Sequence, residues 1–261
     1  MAILNKVGSL LLGRRRATLG RNMLFVCGAP RSGTTGLWRL LVQDPRIVLG
    51  MERHGSRLRP EAFRTDLYEK SGFFDFETYP NLARLADSYY ANEAKQRFDS
   101  AVYVGDKLPL LYKVYDFVSA VFPSAKTVIL LRNIFDICES YQARLEDAAD
   151  NWKFSAMDAV DHWNSLLVFL ARRRKDPRVK VLVYEQFLSD INTYRDLYDF
   201  LGLSVDEGFV ARYEKMLEEA ARLKLRRTSR ITDAQKLEIL RGADLGLYAK
   251  HLRRFTLARQ E

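Results

Sequence analysis

The stretch "FVCGAPRSGTTGLWRLL", residues 25–41, decides how this chain is read. An apolar run opens onto glycines and hydroxyl side chains, and apolar residues then recur at helical spacing, with Leu37, Leu40 and Leu41 on one face. That is a strand, a tight turn and a helix. Such a turn aims backbone N–H groups and the positive end of the helix dipole at an anion. Gly28 and Gly33 stand as far apart as the glycines of G-x-x-x-x-G-K-[ST], and Thr35 fills the Ser/Thr position, but Thr34 stands where the lysine belongs. Arg31, Ser32, Gly33, Thr34 and Thr35 are therefore the expected grip on a phosphate. A plain strand-to-helix turn with a capping threonine is the alternative.

Outward from this loop, "KTVILLRN" (126–133) reads as a fully apolar strand, and "FDICESYQARLEDA" after it reads as a helix. "AVYVGDKLP" (101–109) and "KVLVYEQF" (180–187) read as further strands, with helices over 112–123 and about 155–175. None of these strands alternates with polar residues, as expected when helices cover both faces. Strands alternating with helices predict an α/β fold: a P-loop-like three-layer sandwich with a central, mainly parallel sheet. Residues 56–98, rich in Tyr, Phe, Arg and Glu, are expected to form a helical insertion over one end of the sheet. A helical, basic tail is expected from 205 to 261, and a basic lead-in over 1–21. No repeat or linker divides the chain, so 1–261 is expected to be a single domain.

The composition, 48% hydrophobic and 29% charged, is that of a globular protein, with no apolar run of spanning length. A net charge of +9 implies an anionic partner, although runs such as Arg172–Lys175 are ordinarily solvated faces. Cys27 and Cys138 are expected to be buried free thiols, and neither has the spacing of a zinc site. With no disulfide framework and no export signal in view, cytoplasm is the expected compartment.

A phosphotransferase of the P-loop type needs the loop lysine and a strand-end carboxylate to hold Mg²⁺. Here the lysine is Thr34, and the strand "KTVILL" runs into Arg132. An arginine there repels a metal and attracts a second phosphate. The pattern predicts an anionic nucleotide bound without a metal ion.

These residues resemble the sulfotransferase family, whose donor is 3′-phosphoadenosine 5′-phosphosulfate (PAPS). The family's 5′-phosphosulfate loop appears as "PRSGTTGL", and its 3′-phosphate signature as "LLRNIFDICESY", with Ser140 eight positions after Arg132. "VGDKLP" is similar to a turn of bacterial and Golgi-type members. "VLVYEQFLSD", followed by "FLGL" at 200–203, is similar to the strand whose tyrosine, here Tyr184, lies near the adenine. The resemblance spans about residues 23–203. It implies that Arg132 forks onto the 3′-phosphate while Ser140 donates to it.

Sulfuryl transfer also needs a base beside the acceptor hydroxyl. Some members take a histidine beside the lysine of the "K-x-H" turn, and Lys107 has none. The tyrosylprotein branch takes a glutamate just after the first helix, and Glu52 stands in that register, 21 residues after Arg31. Glu52 is the expected base and His54, two residues on, the competing one, the pair sharing a face if the turn is strand-like. Lys107 and Arg31 are expected to stabilise charge developing on the sulfuryl group, as preorganised cations do in phosphoryl transfer, with a solvated turn lysine as the alternative for Lys107. Asp106 is expected to brace the turn. Arg226, Arg227, Ser229 and Arg230 are candidates for closing over the nucleotide, with a solvated helix face as the alternative.

The acceptor class expected is a small molecule, a carbohydrate or a glycolipid; "GFFDF", Tyr79, Tyr89 and Tyr90 are candidates to wall its site, with core packing as the equal alternative. No stable membrane insertion and no nucleic acid are expected. A kinase-like phosphotransferase and a non-enzymatic nucleic-acid-binding protein are the alternatives. Oligomeric state is not readable from one sequence.

Overall fold

The computed structural model describes residues 22–59, 62–78, 89–225 and 229–257. The expected lead-in over 1–21, Tyr79, Arg226 and Arg227 lie outside the described residues.

Five strands form one sheet: β1 (Asn22–Gly28), β2 (Ile47–Met51), β3 (Tyr103–Lys107), β4 (Lys126–Leu131) and β5 (Val179–Val183). Their order is β2-β3-β1-β4-β5, and every neighbouring pair is parallel. Parallel strands need crossovers, and helices supply them: α1 (Thr34–Leu41) after β1, α2 (Lys70–Phe73), α3 (Tyr89–Arg97) before β3, and α4 (Tyr115–Val121) before β4. Then come α5 (Ile134–Leu145), α6 (Ala156–Arg172), α7 (Tyr184–Phe187), α8 (Ile191–Leu201), α9 (Phe209–Leu225), α10 (Asp233–Gly242) and α11 (Leu245–Leu257).

Alternate residues of each strand feed two cores, giving the three layers. Phe25, Cys27, Val104 and Ile129 face one core, against Trp163, Leu166 and Tyr141 of the α5–α6 side. Leu24, Val26, Val128 and Leu130 face the other, against Leu37, Leu41, Tyr194 and Leu197. Both cysteines are buried and unpaired. Burial raises both thiols, Cys138 to about 12, which keeps them protonated.

Two points differ from the sequence reading, and the expected helical insertion is present. "IVLGM" (47–51) was not expected as a strand and forms β2, which pairs only with β3 among the described strands. The strand expected over 180–187 ends at Val183, because "YEQF" winds into the helical turn α7. The described part of the 56–98 insertion is short helical turns packed around aromatic core residues Phe63, Tyr68 and Phe73, with α3 the longest piece.

The register places the site. Val26 pairs with Lys107, Met51 with Lys107, Gly28 with Leu130, and Leu131 with Val183. All five carboxyl ends therefore line one edge of the sheet, where ligands of open α/β sheets bind. Lys107 ends β3, and Glu52, Arg132 and Tyr184 each follow directly on a strand.

Candidate active site

The loop after β1 reaches α1 through two residues of positive φ, Arg31 (φ 70) and Gly33 (φ 100). Gly33 is the N-cap of α1, which has no side-chain cap and no acidic residue in its first turn. Its glycine is required twice over. The backbone is left-handed, and a Cβ would lie 2.3 Å from Cε2 of Tyr184. Ser32 and Thr34 are buried in the loop.

Arg132 is 4% exposed and is fixed from several sides. Its guanidinium donates to Asp136 Oδ2 at 2.8 Å and to the Arg31 carbonyl at 3.3 Å. It also stacks on the Tyr184 ring, 4.3 Å from the centroid. Asn133 caps α5 through Asp136 N–H and donates from its own side chain to Asp136 and Glu185. Trp163 Nε1 donates to the Arg132 carbonyl at 2.8 Å. Arg31 reaches across the cradle, donating from Nε to Ser140 Oγ at 2.8 Å.

Two buried polar atoms of this region are left over. Ser32 Oγ and Arg132 Nε are buried and make no hydrogen bond among the described residues. One belongs to the loop before α1 and the other to the residue that follows β4, and buried polar groups without a protein partner are the exception that a ligand accounts for.

On the other side of β1, Glu52 follows β2 with φ 56, so Arg31 and Glu52 are the positive-φ residues other than glycine among the described residues. Such a conformation costs about 1–3 kcal/mol and is held by its surroundings. Glu52 N–H donates to the Lys107 carbonyl at 2.9 Å, and Lys107 Nζ donates to Glu52 Oε1 at 2.5 Å. The lysine side chain is 3% exposed and the glutamate 41%, so the carboxylate faces outward from a buried ammonium.

His54 does not share that face. The left-handed turn at Glu52 breaks the period-two geometry and sends His54 into the core, fully buried, with its Nε2 2.8 Å from the Leu67 carbonyl. Burial and the neighbouring Arg53 push its pKa down to about 3. It is removed as a base. Asp106 braces the turn, accepting from Arg53 N–H at 3.1 Å and His54 N–H at 2.9 Å.

The described C-terminal candidates, Ser229 and Arg230, bond to α5. Ser229 Oγ donates to Glu139 Oε1 at 2.8 Å, Arg230 N–H to Glu139 Oε2 at 2.5 Å, and the Arg230 side chain pairs with Glu146 at 3.1 Å. They tie their segment to α5 beside Ser140. The Tyr90 hydroxyl bonds the Leu49 backbone and so supports β2.

Thus one edge of the sheet brings together the loop, Arg132, Ser140, Tyr184, Glu52 and Lys107. Sequence reasoning did not single out Asp136, Glu185 or Trp163. An acid four residues after Arg132 on the same helix start was the available signal for Asp136.

A family model described as the sulfotransferase family matches residues 24–207. Protein-tyrosine sulfotransferase 1 of Danio rerio is 24% identical over 225 residues, covering 81% of this chain and 61% of that protein. The chain therefore spans less than two thirds of that relative. Two solved structures share the fold at TM-score 0.50, each over 74% of this chain and 78% of theirs. One is the sulfotransferase domain from the curacin biosynthetic pathway, at 17% identity, and the other is that from the Synechococcus PCC 7002 olefin synthase, at 21%. With a family model running from β1 past β5 and through every element of the cradle, the chain belongs to the sulfotransferase family.

Proposed function

We propose that this chain transfers a sulfuryl group from PAPS to a hydroxyl of a small-molecule, carbohydrate or glycolipid acceptor, releasing PAP. One observation carries the reading: an anion cradle without a loop lysine sits on the same sheet edge as a carboxylate held against a buried ammonium. The loop N–H groups, Ser32, Thr34 and Thr35 take the 5′-phosphosulfate. Arg132 and Ser140 take the 3′-phosphate, and Tyr184 lies beside the adenine.

Glu52 accepts the proton of the acceptor hydroxyl as its oxygen forms the bond to sulfur. The sulfur–oxygen bond to the 5′-phosphate breaks, and the electron pair leaves with PAP. An ammonium has three donors. Lys107 gives one to Glu52 and has two for the oxygens in flight. Arg31, bonded to Ser140, joins the two phosphate sites and carries charge from the 3′ side.

Among the described residues no helix is long and apolar enough to cross a membrane. Two buried free thiols are in keeping with a reducing compartment, and we take the enzyme as cytoplasmic. The name of the relative raises tyrosine as an acceptor. Titration with PAP in EDTA tests the donor site, with micromolar binding expected. Absence of binding together with ATP turnover in Mg²⁺, or nucleic-acid binding that ignores PAP, overturns it. An acceptor screen with labelled PAPS tests the acceptor class, and sulfation of peptide tyrosine alone overturns that part.

A further inference from the structure

Adjacent residues of a strand point to opposite faces, and β3 uses this at its end. Lys107 points to the site and meets Glu52. Asp106 points away and is fully buried beneath the turn that follows β2. Its two oxygens take the N–H groups of Arg53 and His54, the two residues immediately after Glu52. Gly50, two residues before Glu52, comes so close that a Cβ would lie 2.8 Å from Asp106 Oδ1 and 2.5 Å from Arg53 Cβ. The left-handed Glu52 is thus bracketed by a clamp behind it and a close approach ahead of it.

We infer that Asp106 is a positioning residue for sulfuryl transfer: by clamping the two N–H groups after Glu52 it holds Glu52 left-handed and turns its carboxylate onto Lys107. A strained conformation persists where the surroundings over-determine it. Here the surroundings are one carboxylate and the Glu52 N–H bond to the Lys107 carbonyl. The inference rests on the reading of Glu52 as the base.

The clamp works as an anion. Ionised, Asp106 offers acceptors to both N–H groups, while a protonated oxygen sets a donor toward a donor. Burial raises its pKa to about 7, against the two backbone bonds and Lys107, with the Glu52 charge adding to the rise. Arg53, Tyr68 and Tyr90 are the other ionisable groups that face it, together with the buried His54 ring on the same turn.

The test is a cycle of Asp106→Asn and Glu52→Gln, read by single-turnover transfer from labelled PAPS and by PAP calorimetry. Removing a general base costs about 10²–10⁴-fold. Misplacing one by about 1 Å costs up to about 100-fold. Asp106→Asn is therefore expected to lower kcat about 10- to 100-fold with PAP affinity kept within about threefold. In the Glu52→Gln background it is expected to add less than about threefold, because a group acting through Glu52 has nothing left to act on. The same fold loss in both backgrounds, or none in either, overturns the inference. Wild-type turnover in Glu52→Gln alone overturns the base reading itself, and the inference with it. If Asp106→Asn does not fold, shown by lost PAP binding and a lost unfolding transition, Gly50→Ala carries the cycle, since it presses on the same clamp. Its expected signature is the same.

Discussion

The two halves of the sheet edge are built in opposite ways. On the donor side the polar groups stand in short, contiguous pieces: the loop after β1, then Arg132, Asn133 and Asp136 at the start of α5, then Tyr184 and Glu185 after β5. The pieces are tied to one another by the stack of Arg132 on Tyr184 and the bonds of Asn133 to Glu185 and of Arg31 to Ser140, and two polar atoms are left over. On the acceptor side one exposed carboxylate is held by groups from a distant strand, and those groups are buried. On the proposed reading the nucleotide is held by groups that come in sequence motifs, and the base by one buried carboxylate and one buried ammonium that no motif announces; each side has one left-handed residue other than glycine, Arg31 or Glu52.

If the halves are separable, Lys107→Ala breaks only the second. It removes the partner of Glu52 and a preorganised donor at the sulfuryl oxygens, a loss of about 10²–10³-fold in kcat. PAP affinity is expected to stay within about threefold, measured by calorimetry beside the single-turnover rate. A matching loss of PAP affinity would merge the halves. Arg132→Ala breaks the first. Hydrogen bonds to charged groups contribute about 1.5–3 kcal/mol, so PAP binding is expected to weaken about 10- to 150-fold. Arg132→Lys is expected to recover little of it, because the stack on Tyr184 and the simultaneous bonds to Asp136 and the Arg31 carbonyl need a planar guanidinium.

This contrast explains what was legible. "PRSGTTGL" and "LLRNIFDICESY" could be singled out because each places its polar residues in one contiguous segment. Glu52 was singled out by its spacing from Arg31, but its surroundings were not. A positive φ on a glutamate leaves no mark in the sequence, so the presumption of alternating faces carried His54 to the wrong side. β2 has five residues, one of them glycine, and its strand character comes from pairing with β3 rather than from its own pattern. "YEQF" follows an apolar run directly and turns helical at Tyr184, whose ring packs by Gly33 and under Arg132, contacts that local sequence does not announce. The bond of Trp163 to the Arg132 carbonyl joins residues 31 apart, beyond the reach of any local pattern.

The acceptor side also titrates against itself. Folding lowers the pKa of His54 from 6.5 to about 3, so its contribution to stability is present above about pH 6.5 and is lost as pH falls toward 3. Folding raises the pKa of Asp106 from 3.8 to about 7, so the native state binds the extra proton, and stability falls as pH rises from about 4 to 7. Between about pH 4 and 6.5 the two slopes oppose, and wild-type stability is expected to be nearly flat from this pair. His54→Gln, whose amide still donates to the Leu67 carbonyl, exposes the falling slope, and Asp106→Asn exposes the rising one. Each slope has a limit of about 1.4 kcal/mol per pH unit. Urea unfolding at several pH values checks this, and parallel curves for the two variants would refute the opposed titration.

The smallest effect is expected where the C-terminal segment meets the donor side. Ser229 and Arg230 hold Glu139, next to Ser140, and both are exposed. Exposed polar and ionic contacts of this kind contribute about 0–1 kcal/mol. Ser229→Ala is therefore expected to shift unfolding by less than about 1 kcal/mol and PAP affinity by less than about threefold. Glu139→Ala sharpens the point, because it releases the Ser229 hydroxyl and the Arg230 N–H together. Unchanged PAP affinity there would mean that this segment is a strap on α5 and that the cradle is complete without it. A tenfold change in either direction would mean that the strap sets the reach of Ser140. The position of Ser140 would then depend on a second long-range hold besides its bond from Arg31, and the contrast with the acceptor side would narrow.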